Sequence, residues 1–115
     1  EKNIGDYFIF EIDHHPIGCV ALHTYPEQQK GELAFLYVNP SHENQGIGVK
    51  LIQFVEDQAR LSGLNSLFLL STQAFAYFHT KASYIEGQPD DLPGDRRKKY
   101  MENGRNSRIL MKSLI

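Results

Sequence analysis

The sequence predicts a single α/β domain of the α+β type, with a mixed but mainly antiparallel sheet around a strand–helix–strand unit. A chain of 115 residues is long enough for one compact domain. Residues 7–12, 17–25 and 32–38 are rich in β-branched and aromatic residues and are separated by turn formers. Residues 47–61 then carry apolar side chains at helical spacing, and residues 66–71 form an apolar run typical of a strand covered on both faces.

The connections between these elements predict how the strands pair. The turn-forming sequence DHHP at residues 13–16 indicates a hairpin, and Pro40 ends the third strand because proline has no N–H to donate. Gly63 ends the long helix. Three antiparallel strands are therefore expected to lead into a right-handed parallel crossover.

The C-terminal part of the chain is less regular. We expect a second, shorter helix at residues 73–81, a short strand at 83–86 and a last strand at 108–114. The segment between them, residues 87–107, is rich in Pro, Gly and Asp and is predicted to be a long loop that could contain a turn of helix at its centre. Its basic run, residues 96–99, is expected to be a solvated face.

Composition excludes several classes of protein. A net charge of -2 and a pI near 6.2 provide no basic field for nucleic acid, and no stretch approaches the ~20 apolar residues that span a bilayer. The one cysteine, Cys19, cannot form an internal disulfide and is expected in the core, which favours a cytoplasmic location. No metal is expected, because His14 and His15 are adjacent in a turn and face different ways.

The sequence ENQGIG at residues 43–48 lies between the third strand and the long helix. Backbone N–H groups at a helix N-terminus form an anion site, and glycines let a phosphate approach the backbone. The loop is neither a dinucleotide fingerprint, since Leu51 replaces the third glycine, nor a P-loop, since the Gly-Lys-Ser/Thr ending is absent. A phosphate site and a simple tight turn both fit this motif alone.

With its place in the strand order, the loop resembles the acyl-CoA motif of the GNAT superfamily of N-acetyltransferases, with Glu43 where that motif usually has Arg or Gln. The resemblance implies acetyl-CoA as co-substrate, with its pantetheine arm in a wedge between the strands at residues 32–38 and 66–71. The residues that it assigns to the cofactor are Leu36, Tyr37, Val38, Asn44, Gln45, Gly46, Ile47, Gly48, Val49 and Phe78.

A narrower resemblance covers nearly the whole chain and is to the acetyltransferase domain of bacterial N-acetylglutamate synthases. It is carried by GELAFLYVNP at residues 31–40, QGIGVKLIQFVE at 45–56, LFLLSTQAFAYF at 67–78 and EGQPDDLPGDRRKKYMENGRNS at 86–107. Compared with such domains, the sequence lacks the usual first strand and helices. A homodimer that covers the resulting sheet edge and apolar face is therefore expected.

Acetyl transfer to an amine needs a base and an acid that protonates the departing thiolate. The resemblance makes Glu32 the base; the alternative is that Glu32 is a solvated carboxylate at the edge of the sheet. It makes Ser71 the acid, although Ser71 is equally suited to cap the following helix. Tyr77 is a rival acid or a packing aromatic, and His79 is expected to be a surface residue.

Arg105 and Ser107 match positions that hold the glutamate carboxylate in the synthases, and a guanidinium suits a carboxylate. Alternatively, Arg105 closes the loop onto Asp90 or Asp91. Three functions stay open: acetylation of the α-amine of glutamate or a similar amino acid, acetylation of another amine such as a peptide N-terminus or polyamine, and non-catalytic binding of acyl-CoA.

Overall fold

A six-stranded sheet with helices on both faces forms the domain in the computed structural model, which describes residues 5–42, 45–103 and 107–115. The strands are β1 (Gly5–Ile12), β2 (His15–Tyr25), β3 (Lys30–Val38), β4 (Ser66–Ser71), β5 (Ile85–Glu86) and β6 (Arg108–Ser113). The helices are α1 (Ile47–Leu61), α2 (Phe75–Ala82) and α3 (Gly94–Asn103). The strands lie in the order β1-β2-β3-β4-β6-β5 across the sheet, and only the β3–β4 pair is parallel. The predicted mixed, mainly antiparallel sheet is confirmed.

Helix α1 has the bounds that its apolar spacing predicts. Leu51, Ile52 and Val55 are buried against the sheet, because residues three and four apart share one face of a helix. The helix ends at Leu61, and Gly63 follows with a φ of +83°, a left-handed conformation that glycine adopts without strain.

Two hydrophobic clusters lie on opposite faces of the sheet. The larger one packs α1 and α2 against one face and includes the fully buried Val20, Leu67 and Leu110. On the other face, which we call the α3 face, a smaller cluster contains Tyr25, Phe68, Leu92 and Ile109, with Tyr100 of α3 packed against it. In the described residues, no helix is both long and apolar enough to cross a membrane.

The main difference from the prediction lies in residues 87–107, which were expected to form a long loop. This segment contains the three-residue 3-10 turn Pro89–Asp91 and the ten-residue helix α3. This helix has few apolar side chains, so apolar periodicity does not reveal it; contacts with the sheet hold it instead. Arg96 illustrates the difference, since its side chain is only 24% exposed and forms an ion pair with Glu32 rather than facing solvent.

Smaller differences concern the ends of elements and one cysteine. Helix α2 begins at Phe75 rather than at residue 73, and β5 is reduced to Ile85–Glu86. Cys19 is partly exposed, because it lies on the α3 face of β2, where the smaller cluster does not extend, and not in the core as expected.

Candidate active site

The parallel strands β3 and β4 pair over only three residues and then separate. Lys30, Gly31 and Glu32 are opposite residues 66–68, and no further pairing joins the two strands, whereas β4 pairs with β6 along all six of its residues. Burial changes at the same point, since Leu33 is buried and Ala34 is exposed. The wedge expected between these strands is therefore present.

A β-bulge in β3 lies just beyond the point of separation. Ala21 and Leu22 of β2 are consecutive, but their partners are Phe35 and Leu33, so Ala34 is the extra residue. A bulge reverses the alternation of side chains along a strand. As a result, Glu32 faces the α3 face, while Leu36, four residues later, packs on the face covered by α1 and α2.

A cavity of about 450 Å³ opens on the α1 side of the wedge. It lies between the end of β3, the N-terminus of α1 and one face of α2, and its lining residues are Leu36, Val38, His42, Gly46, Ile47, Gly48, Val49, Tyr77 and Lys81. We call it the wedge cavity.

The N-terminus of α1 is arranged to receive an anion from this cavity. Gly46 has a φ of +79° and caps the helix without a side-chain hydrogen bond, and a Cβ atom there would meet nothing within 4 Å. The first turn contains no acidic residue, so its N–H groups keep their positive partial charge. Among the described residues, the Nδ1 atom of His42 is buried without a hydrogen-bond partner, which also fits a polar ligand in the cavity.

Most of the residues assigned to the cofactor are found here. Six of the ten line the wedge cavity: Leu36, Val38, Gly46, Ile47, Gly48 and Val49. Tyr37 does not line it, because its side chain alternates with its neighbours and is exposed on the α3 face, although its backbone runs beside the cavity. Gln45 is exposed, Phe78 is buried in the larger cluster behind the cavity, and Asn44 lies outside the described residues.

Tyr77 crosses the wedge cavity between α2 and α1. Its hydroxyl lies against Gly48, so closely that a Cβ atom on Gly48 would collide with it. Partial burial raises the pKa of this hydroxyl, so it is protonated near neutral pH and can donate a proton. Tyr77 therefore places a protonated hydroxyl in the wedge cavity, which is compatible with either of its two expected roles.

Glu32 is a buried carboxylate at the base of the wedge, so its alternative assignment as a solvated edge residue is wrong. It is 7% exposed and accepts hydrogen bonds from Arg96 Nε at 2.9 Å, Arg96 Nη2 at 3.2 Å and the Tyr25 hydroxyl at 3.3 Å. Burial, together with the neighbouring Glu32, raises the pKa of Tyr25 to about 12, so Tyr25 is protonated and acts as a donor. Sequence reasoning missed both partners, since neither carries a motif.

Ser71 is found at the end of β4, where both of its expected roles are compatible. Its Oγ accepts hydrogen bonds from the backbone N–H groups of Ala74 at 2.8 Å and Gln73 at 3.2 Å, so it orients the start of α2. These bonds use the oxygen as an acceptor and leave its own O–H free to donate. A hydroxyl polarised in this way is a better proton donor.

Ser107 is the one of the two residues assigned to the acceptor that lies in the described part of the chain. Arg105 lies outside the described residues. Ser107 is half-buried just before β6, and its carbonyl accepts a hydrogen bond from the Tyr100 hydroxyl at 2.9 Å. Asp90, one of the carboxylates considered as a partner for Arg105, is paired with Arg97 at 3.2 Å.

His79 lies on α2. His79 is exposed, as expected, and its Nδ1 is 2.8 Å from the carbonyl oxygen of Tyr84. In the described parts of the chain, no group of three or more His, Cys, Asp or Glu residues is placed to hold a metal ion.

Comparisons with known proteins agree with this geometry. The sequence profile of the acetyltransferase (GNAT) family matches residues 1–83. The amino-acid acetyltransferase of Neisseria meningitidis serogroup A is 40% identical over 114 residues, which is 99% of this chain and 26% of that protein. The chain thus spans about a quarter of the length of this curated relative.

Two solved structures of N-acetylglutamate synthase from Neisseria gonorrhoeae are also similar. The complex with coenzyme A and N-acetyl-glutamate has a TM-score of 0.88 and 39% identity, over 95% of this chain and 26% of that one. The complex with coenzyme A and L-arginine has a TM-score of 0.84 and 37% identity, over 93% and 24% of the two chains. The sequence profile, the identity and the wedge between β3 and β4 together show that the chain belongs to the acetyltransferase (GNAT) family.

Proposed function

We propose that this domain transfers an acetyl group from acetyl-CoA to the α-amine of glutamate or a similar amino acid. The observation that carries the proposal is the wedge between β3 and β4. On one face of the sheet it has a cavity lined by the N-terminus of α1, and on the other face it has a buried glutamate. Similarity to the amino-acid acetyltransferases and to the synthase complexes with coenzyme A supports it. Each side of the wedge then has a separate task.

On the α1 side, the helix N-terminus is the proposed site for the pyrophosphate of CoA. The residues that follow Gly46 in the first turn of α1 line the wedge cavity, and charge-assisted bonds from helix N-terminal N–H groups are about twice as strong as neutral ones. The pantetheine arm would then follow the backbone of residues 36–38, which has no partner strand on the β4 side. This path leads toward the base of the wedge, where Glu32 is located.

On the α3 side, Glu32 is the proposed base. A carboxylate has about four lone-pair positions, and Tyr25 and Arg96 occupy two on Oε1 and one on Oε2. One position on Oε2 is left for a water that carries the proton from the substrate ammonium. Tyr25 and Arg96 would therefore hold the side chain in one orientation without blocking it.

Either Ser71 or Tyr77 is the proposed donor of a proton to the thiolate. Tyr77 lines the wedge cavity itself, and Ser71 lies at the end of β4, three residues beyond Phe68, which is the partner of Glu32. At about 3.3 Å per residue, Ser71 is roughly 10 Å along the strand from that pair, on the open side of the wedge. Attack by a neutral amine on the thioester then needs no covalent intermediate on the protein.

Positively charged side chains near Glu32 are the proposed basis for the choice of acceptor. Arg96 places a guanidinium beside Glu32 on the α3 face, and Arg105 and Ser107 are the proposed ligands of a substrate carboxylate. An acceptor that carries both an amine and a carboxylate would be favoured by this arrangement over a polyamine. A peptide N-terminus or polyamine is the alternative acceptor class.

The experiment is an amine panel read out as free thiol release from acetyl-CoA. We expect glutamate to react faster than 4-aminobutyrate, which lacks the α-carboxylate, and faster than spermidine. In Arg105→Ala, KM for glutamate should rise about 10-fold or more, as expected for a lost hydrogen bond to a charged group, while KM for acetyl-CoA stays constant. Arg97→Ala is the matched control, because Arg97 is paired with the exposed Asp90.

Two results would contradict the proposal in different ways. Acetylation of spermidine or a peptide, with no reaction of glutamate at millimolar levels, would leave only the broader acetyltransferase assignment. Binding of acetyl-CoA without thiol release for any amine would favour a non-catalytic acyl-CoA-binding domain.

We also propose that a second copy of the chain covers an apolar strip on the α3 face of β1–β3. Tyr7 and Phe35 lie in register on either side of Ala21, and Ile9 and Tyr37 lie on either side of Cys19. The four large side chains are 48–68% exposed. Light scattering over a dilution series tests this, and a monomer at all concentrations would contradict it.

A further inference from the structure

Lys81, at the end of α2, is the cationic residue of the wedge cavity. It follows Tyr77 by four residues and so lies on the same face of the helix, one turn further along. Of the nine described residues that line the cavity, Lys81 is the only lysine or arginine, and none is acidic. The side of the cavity that contains the α1 N-terminus thus also contains an ammonium group from a different element.

The surroundings of Lys81 leave this ammonium available. Lys81 also borders a neighbouring cavity of about 190 Å³, which is lined by Glu56 and Lys112 among others. Glu56 is already satisfied, since both of its oxygens lie within 3.2 Å of Lys112 Nζ and one accepts a bond from the Tyr84 hydroxyl at 3.1 Å. Glu56 is therefore already paired and does not compete strongly with the wedge cavity for Lys81.

Among the described residues at the start of α1, none supplies a cationic side chain to the wedge cavity. Lys50, the basic residue of the first turn, is exposed and does not line the cavity, and Gly46 offers only backbone groups. Partial charges of about +0.5 at a helix N-terminus do not match a ligand with two or more negative charges. The exposed Lys81, which lines the same cavity, would supply the missing charge as a point donor.

We propose that Lys81 binds a phosphate group of the nucleotide half of CoA, from the side of the wedge cavity opposite β3. This inference rests on the proposed use of acetyl-CoA and adds a residue to it. Either the pyrophosphate or the 3′-phosphate is the partner, and dephospho-CoA, which lacks the 3′-phosphate, distinguishes them.

The experiment is a calorimetric titration of CoA and of dephospho-CoA into the parent chain, Lys81→Met and Lys81→Arg. Lys81→Met keeps the length of the side chain and removes its charge, and we expect it to weaken CoA binding about 3- to 10-fold at low salt, with a smaller ratio at high salt. Lys81→Arg should restore most of the affinity. Lys50→Met is the matched control, because Lys50 is exposed on α1 and does not line the wedge cavity.

Each outcome has a defined meaning. An equal loss for CoA and dephospho-CoA places Lys81 on the pyrophosphate, and a loss confined to CoA places it on the 3′-phosphate; both support the inference. Parent-like affinity in Lys81→Met, or an equal loss in Lys50→Met, overturns it while leaving CoA binding by the domain intact. A parent chain that binds no CoA overturns the proposed function, and this inference with it.

Discussion

Glu32 and Glu56 are two buried glutamates with nearly the same surroundings and different positions. Each receives a tyrosine hydroxyl and a cation: Tyr25 and Arg96 for Glu32, and Tyr84 and Lys112 for Glu56. Their exposures are 7% and 4%. Burial with a cation partner therefore does not by itself mark a catalytic carboxylate.

What separates them is the backbone around each side chain. Glu32 is the last residue of β3 that pairs with β4, so the space beyond it is open. Glu56 lies in α1 and pairs with Lys112 of β6, and both of its oxygens are bonded to Lys112 or Tyr84. The comparison suggests that Glu32 serves chemistry and Glu56 serves the fold, and three experiments can break or sharpen it.

The largest expected effect is on turnover. Glu32→Gln should lower the rate of acetyl transfer by about 10² to 10⁴ above pH 7, the usual contribution of a positioned base, with no change in acetyl-CoA affinity. Glu56→Gln has the same change in charge and shape, and we expect its rate to stay within about 3-fold of the parent at a temperature where it is folded. Equal losses in the two variants, or none in Glu32→Gln, would remove the distinction.

Stability should show the opposite order. Lys112→Met removes the cation that pairs with the buried Glu56 of α1, and the free energy of unfolding should fall by about 2–4 kcal/mol, because breaking a buried ion pair from one side is costly. Arg96→Met should cost about 1–2 kcal/mol, since water can reach Glu32 through the wedge.

Urea denaturation measures both losses. Arg97→Met, which breaks an exposed pair with Asp90, is the control and should change the free energy of unfolding by about 0.5 kcal/mol or less. A larger loss in Arg96→Met than in Lys112→Met would contradict the assignment of Glu56 to the fold.

The smallest effect concerns alkaline pH. Burial and the adjacent Glu32 raise the pKa of Tyr25 to about 12, and burial and Glu56 raise that of Tyr84 further. Unfolded tyrosine titrates near 10, so between these values the folded state holds more protons and stability falls as pH rises through this range. The slope for one proton is at most about 1.4 kcal/mol per pH unit.

Unfolding free energies at intervals from pH 8 to 11 measure this slope. Tyr84→Phe and Tyr25→Phe should each flatten it relative to the parent, Tyr84→Phe at least as much as Tyr25→Phe. A slope unchanged in both variants would mean that neither hydroxyl stays protonated against its glutamate.

The two sides of the wedge also differ in how much the sequence could predict. Helix α1 and the glycine loop are contiguous and periodic, so their bounds and their place beside β3 followed from local signals. Most of the residues assigned to the cofactor from the resemblance line the wedge cavity for the same reason.

The α3 side depends on contacts between distant residues. Arg96 and Glu32 are 64 residues apart, and nothing near either residue indicates that they meet. Helix α3 is polar around most of its surface, so its sequence resembles that of a loop until its partners on the sheet are known. The partners of Glu56 are hidden in the same way, since Lys112 lies 56 residues away.

The bulge at Ala34 has a consequence for anyone who redesigns this strand. Positions 32 and 36 differ by an even number and would share one face of a regular strand, yet the extra residue puts Glu32 on the α3 face and Leu36 on the face that contains the wedge cavity. A deletion of one residue here would restore regular alternation and return both side chains to the same surface. Insertions and deletions between these two positions should therefore be judged by parity, because an odd change puts both side chains on one face of the sheet and an even change keeps them on opposite faces.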